Sequence, residues 1–227
     1  APHAMSEYYD AASGIPASGT IAFSDFHGTT SYAMGGNRVV FIGGELTNRM
    51  DYVNVLSTGN ATDFGDAAFG GGPEKGSNGS CSNGSRGVVG GGDFHSNTEG
   101  FYNGISSKMQ YITIGSPGNG TSFGSLLERH YGSGGASNDT RGIFAGGRHV
   151  TNDGTTGSIN RIQYITIAST GNATDFGDLG WWCGSATGAG NGSRGLFHLN
   201  VDLGSTQGGG TSGSKDTIEY ITIATTG

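Results

Sequence analysis

The ten residues Ser57–Asp66, reading Ser-Thr-Gly-Asn-Ala-Thr-Asp-Phe-Gly-Asp, recur letter for letter as Ser169–Asp178. A chain that repeats itself restricts its own fold to units that stack on copies of themselves, because one unit alone cannot bury its apolar face. The segment before the duplicated turn recurs as well, as Met109-Gln-Tyr-Ile-Thr-Ile114, Ile162-Gln-Tyr-Ile-Thr-Ile167 and Ile218-Glu-Tyr-Ile-Thr-Ile223.

Three landmarks set the phase. An Arg followed by an apolar run occurs at Arg38-Val-Val-Phe-Ile-Gly-Gly44, Arg86-Gly-Val-Val-Gly-Gly-Gly92, Arg141-Gly-Ile-Phe-Ala-Gly-Gly147 and Arg194-Gly-Leu-Phe-His-Leu199, with spacings of 48, 55 and 53 residues. A Tyr-centred strand follows each, at Tyr52, Tyr111, Tyr164 and Tyr220, and the Phe of an outer turn follows at Phe64, Phe123 and Phe176. Tyr and Phe are always 12 residues apart, whereas Arg and Tyr are 14, 25, 23 and 26 apart. Insertions are thus confined to particular connections, as in repeats that share a core and differ in their loops.

Local patterns predict strands. In Ile162–Ala168, Tyr164 and Thr166 face one way and Ile165 and Ile167 the other. Both faces are largely apolar, which predicts a sheet covered on both sides. The Gly pairs that end the Arg strands predict a bulge or a close backbone approach. Asn83-Gly84, Asn138-Asp139 and Asn191-Gly192 predict tight hairpin turns just before the Arg strands. Helix signals are absent.

A period near 50 with several short strands per unit predicts an all-β fold, a β-propeller of four blades over residues 20–227. Each blade runs inner strand, Arg strand, Tyr strand, outer strand. Tyr220 plus 12 falls beyond Gly227, and Ile21–Phe26 resembles the missing outer piece, so residues 20–26 are expected to pair with Ile218–Ile223 and close the ring. The alternative is an open or fibrous repeat assembly. Residues 1–19 stand outside the repeats and read as an extension, an anchor or inter-subunit strap. Near-constant connections gather on one rim; the variable ones, Ala67–Cys81, Asp93–Lys108, Arg148–Asn160 and Asn200–Asp216, share the other.

Composition narrows the function classes. Gly is 47 of 227 residues with only 4 Pro, and there is no three-residue Gly period, so the chain is not collagen-like. Aromatic residues at 10% argue for a packed core rather than a linker. A formal charge of −7 with only 11 Lys and Arg disfavours nucleic acid and anionic membrane as partners. No apolar run is long enough to insert as a membrane helix, and the first residues carry no signal-peptide pattern. Cys81 and Cys183 have neither metal spacing nor a disulfide framework and read as free thiols.

The Gly-Gly-ended strand followed by a Tyr-centred strand resembles kelch-like propeller repeats, although the Trp usual in kelch blades is missing from the Tyr strands. The run Tyr164-Ile-Thr-Ile-Ala-Ser-Thr-Gly-Asn-Ala-Thr-Asp-Phe-Gly-Asp178 resembles repeats in tail and fibre structural proteins of tailed bacteriophages, of the cyanophage and marine phage type. Gly14-Ile-Pro-Ala-Ser-Gly-Thr-Ile-Ala-Phe-Ser-Asp-Phe-His-Gly28 is similar to a segment of phage tail proteins, and Met5–Tyr9 is similar to a shorter form of it. The resemblance implies a non-enzymatic virion component of tail or tail fibre, made in the host cytoplasm. Its partners would be other virion proteins, further copies of itself, and a host surface glycan or receptor. Alternatives are a capsid-decorating or tail-filament subunit, a cellular adhesin or lectin-type propeller, and a glycan-cleaving enzyme on the same fold.

No nucleophile elbow, phosphate loop, metal-spaced His set or carboxylate pair stands out, so neither catalysis nor a cofactor is expected. The four repeated Arg residues suit a ring for an anionic ligand or, at strand starts, hydrogen bonds to carbonyls between blades; the second is expected. Asn60, Asn119, Asn172 and Asn191 match a glycosylation pattern but read as turn residues. Trp181 and Trp182 are the only tryptophans. Alternation on a strand would bury at least one of them. If the chain binds a receptor, the variable rim is the place, with Arg148, His149, Trp181 and Trp182 as candidates.

Overall fold

The computed structural model describes residues 37–44, 47–69, 79–92, 101–102, 105–151, 155–202 and 214–225. The extension expected over residues 1–19 and the closing strand expected at 20–26 lie outside the described residues. Within them the chain is all-β, in several antiparallel sheets.

The first repeat is the sheet β1 (Arg38–Gly44), β2 (Thr47–Asn54), β3 (Thr62–Asp66). The second adds an inner strand: β4 (Gly79–Ser82) and β5 (Arg86–Gly90), then, after the short pair β6 (Phe101–Tyr102) and β7 (Ile105–Ser106), β8 (Lys108–Thr113) and β9 (Thr121–Ser125), in sheet order β4-β5-β8-β9. This is the expected order of inner, Arg, Tyr and outer strand. The third repeat comprises β10 (His130–Tyr131), β11 (Gly134–Ser137), β12 (Arg141–Val150), β13 (Thr156–Thr166) and the first part of β14 (Thr174–Gly190). The remainder of β14 is the inner strand of the fourth repeat, followed by β15 (Arg194–Asp202) and β16 (Ser214–Thr222), so repeats three and four share one seven-stranded sheet.

Two connections expected as loops are strand instead. The stretch Arg148–Asn160 is mostly a hairpin, with Val150 paired to Thr156, and Asn200–Asp216 begins and ends in strand, with Asp202 paired to Ser214. Variation on this rim is therefore partly variation in strand length. Among the described residues no closed barrel or propeller is formed.

The Gly pairs behave as their sequence suggests. Gly146 and Gly147 have φ of 65° and 106°, and the β12–β13 register shifts there. The hairpin turns hold through Asn83, Asn138 and Asn191, whose Oδ1 atoms accept from the backbone N–H groups two and three residues on.

Consecutive repeats stack with a constant register. On one face of each sheet lie the Arg+2 residue, the Tyr−2 residue and the outer Phe. On the other lie the residues one and three beyond the Tyr. Three clusters bury the first face of one repeat against the second face of the next: Met50 and Phe64 against Ile112 and Ile114, Met109 and Phe123 against Ile165 and Ile167, and Ile143, Ile162 and Phe176 against Ile221 and Ile223. The Arg residues span these interfaces: Arg38, Arg86 and Arg141 donate to the carbonyls of Ile114, Ile167 and Ile223 at 2.9, 3.1 and 3.1 Å. The residue before each of the last three Tyr adds a brace, Gln110 Oε1 accepting from Ala68 N–H, Gln163 Oε1 from Leu127 N–H and Glu219 Oε2 from Gly180 N–H. Asn119 and Asn172, expected to serve their own turns, instead accept from Asp66 and Ser125 of the preceding repeat.

Candidate functional site

The candidate residues gather at one corner of the third repeat, where its strands run past the length of those in the first two repeats. The corner starts from the bulge at Gly146–Gly147. A Cβ on Gly147 would overlap the carbonyl oxygen of Tyr131, so only glycine lets the two-residue strand β10 lie so close against β12. That approach pairs His130 with His149 and Tyr131 with Arg148.

His130 is fully buried. Its Nδ1 lies 3.3 Å from the Glu128 carbonyl oxygen, to which it donates as the neutral ring, leaving Nε2 buried with no hydrogen-bond partner. Burial pushes its pKa down to about 4, the Glu128 carbonyl pulling the other way and the charge of Arg161 adding to the fall. His149 is half-buried, and its Nδ1 is also without a hydrogen-bond partner. Beneath them Arg161 Nη1 and Glu128 Oε1 form an ion pair at 2.6 Å.

Arg148 lies against β14: a Cβ on Gly184 would sit 2.8 Å from its Nε. Three and two residues before Gly184 come Trp181 and Trp182. They occupy an irregular stretch, because Asp178 is paired with Arg161 while Cys183 is already paired with Ile159. Residues 179–182 therefore bulge, held by Asn160 Nδ2 donating to the Leu179 carbonyl at 3.2 Å. The expectation that alternation buries one Trp fails here. Leu179 and Cys183 take the core positions, while Trp181 stays 41% exposed and Trp182 half-buried.

All four candidates are thus on the variable rim, on β12 and β14, the two strands that flank β13. The corner offers an indole surface and a guanidinium, which suit stacking on a sugar ring or anchoring a protein contact. No sequence motif marks Glu128, Arg161 or His130, since β10 exists only through its pairing with β12. Among the described residues no group of three or more His, Cys, Asp or Glu is placed to hold a metal ion.

A concavity lies on the constant rim, an open groove of about 560 Å³ between the first two repeats. It is lined by Arg38, Tyr52, Asn54, the turn residues Ser57–Asn60 and Gly115. No protein-family model matches the chain, and no curated protein matches it.

Proposed function

We propose that this chain is a non-enzymatic structural subunit of a bacteriophage virion, a tail or tail-fibre component built from four kelch-like, blade-like repeats whose variable rim serves host attachment or assembly. The observation that carries the reading is the interface repeated three times with the same residue types, Arg to carbonyl and Phe to paired aliphatics. Such stacking makes a stiff scaffold on which connections vary without disturbing the core. The likeness of Tyr164–Asp178 and Gly14–Gly28 to phage tail proteins supplies the biological setting. Acidic charge is in keeping with protein or glycan partners rather than nucleic acid. A tail-filament subunit is the second reading, favoured by the exposed apolar faces at the two ends of the repeat stack.

Antibody raised against the chain tests the setting: it should decorate virion tails in negative stain, and intact particles left unlabelled would overturn the proposal. The rim is tested by phage adsorption and melting of Arg148→Ala and Trp182→Ala beside the constant-rim control Thr170→Ala, an exposed turn residue away from the groove. Adsorption should fall with the two rim variants and hold with the control. Equal losses in all three, or a change in melting alone, would remove the rim from the function.

A further inference from the structure

Among the described residues, the first and last repeats each leave one apolar face exposed, and these faces correspond to the two halves of the interface used three times inside the chain, apart from the outer Phe that the last repeat lacks. On the last repeat, Ile218 and Tyr220 are 69% and 62% exposed, and Leu196 is exposed beside them. Their counterparts two residues before Tyr, Met50, Met109 and Ile162, are buried, as are Val88 and Ile143, the counterparts of Leu196. On the first repeat, Phe41 and Val55 are 57% and 60% exposed. Their counterparts are again buried: Val89, Phe144 and Phe197 for Phe41, and Ile114, Ile167 and Ile223 for Val55.

We infer that these faces meet between molecules: the fourth repeat of one copy stacks on the first repeat of a second copy, head to tail. The internal interfaces supply the register. Arg194 already stacks over Tyr220 at 4.8 Å, as the other three Arg residues stack over theirs. At each internal interface the Arg donates to the carbonyl three residues beyond the next Tyr; in the second copy that carbonyl belongs to Val55. Leu196, Ile218 and Tyr220 would cover Phe41, Val53 and Val55. Within a single chain the two faces do not cover each other, because both are exposed at the same time. A contact between unlike faces is not self-limiting, so it propagates as a filament or closes as a ring of several chains. The inference stands on the repeat geometry alone and does not rest on the virion reading.

The test uses the full chain with one charge placed on either end, Ile218→Asp or Phe41→Asp, with Tyr220→Asp and Val55→Asp as second variants at the same faces. Sedimentation equilibrium of the unaltered chain should show mass growing with concentration. Each variant alone should be monomeric with an unchanged circular dichroism spectrum, since the altered side chains are exposed. Mixing Ile218→Asp with Phe41→Asp should give a one-to-one dimer that grows no further, because each supplies the intact face that the other lacks. The inference is overturned if the unaltered chain is monomeric throughout, if either single variant still associates, or if the mixture fails to pair. A monomeric parent that melts earlier with Ile218→Asp, or that begins to associate once residues 1–28 are deleted, would assign the face to the chain's own residues instead.

Discussion

The guanidinium carbon of Arg86 lies 4.1 Å from the centre of the Tyr111 ring. The same guanidinium reaches into the next repeat, where Nη1 donates to the carbonyls of Ile167 and Ala168 at 3.1 and 2.9 Å. The Tyr111 ring in turn meets Phe123 edge to face, with centroids 6.2 Å apart. Arg38–Tyr52–Phe64 and Arg141–Tyr164–Phe176 repeat the arrangement. The ladder explains why Arg, Tyr and Phe recur in phase: the ring holds the guanidinium over its face, and the guanidinium so held donates its N–H groups across the interface.

Replacing Arg86 with Ala should therefore cost about 1–3 kcal/mol in urea unfolding, since it removes a cation–π contact and two charge-assisted hydrogen bonds. Lysine should not restore it, because a point charge cannot lie flat on the ring and serve two carbonyls. Arg194→Ala should cost less than about 1 kcal/mol in the isolated chain, where only its stack on Tyr220 is present among the described residues. Equal losses at both positions would show that the inter-repeat bonds contribute nothing.

Gly135 should tolerate no side chain. A Cβ there would overlap the Ser80 carbonyl oxygen, and a Cβ on Gly188 would in turn overlap the carbonyl oxygen of Gly135. Gly135→Ala is expected to lose upwards of about 3 kcal/mol, as backbone rather than a movable side chain would have to give way. Gly59→Ala, with nothing within 4 Å of the new methyl, should change stability by about 0.5 kcal/mol or less. Chemical denaturation of the two variants side by side checks the contrast.

Acid should loosen the corner around His130. Its folded pKa of about 4 lies below its ordinary 6.5, so the unfolded chain binds the extra proton first. The neutral ring's contribution is complete above about pH 6.5 and is lost as pH falls towards 4, by at most roughly 3 kcal/mol. Melting temperature followed over that window should fall for the native chain more steeply than for His130→Leu. Parallel curves would mean that His130 does not titrate in a buried site.

Both cysteines should resist modification in the folded chain. Cys81 and Cys183 are buried, and burial raises both thiols above their ordinary pKa, leaving little thiolate to react. A Cβ on Gly142 or Gly146 would overlap the sulfur of Cys81 or Cys183 respectively, so each thiol fills space that a glycine vacates. A thiol reagent should label neither until denaturant is added and both afterwards. Labelling of either at native rates would contradict the packing.

The repeat, its phase and the class of structure were determined by sequence alone, because alternation and turn chemistry are local. Tyr164 and Ile165 must point to opposite faces of any strand that contains them, and Asn138 and Asn191 close their turns with their own backbone. The bonding of the repeated Arg residues to carbonyls across the repeats was legible too, as a residue type placed at the start of every unit. The stacking of Arg on Tyr was not, since it depends on which strands become neighbours. Tertiary structure alone decided that Arg148–Asn160 is mostly strand, because β10 offers β12 a partner only once Gly147 lets it approach. It decided too that Trp181 and Trp182 leave the core, because β14 must serve two repeats and the mismatch between their registers is taken up in the residues between Asp178 and Cys183. Sequence encodes how a unit faces its neighbours; that Ile218 is exposed while its three counterparts Met50, Met109 and Ile162 are buried is set by long-range packing that no local pattern carries.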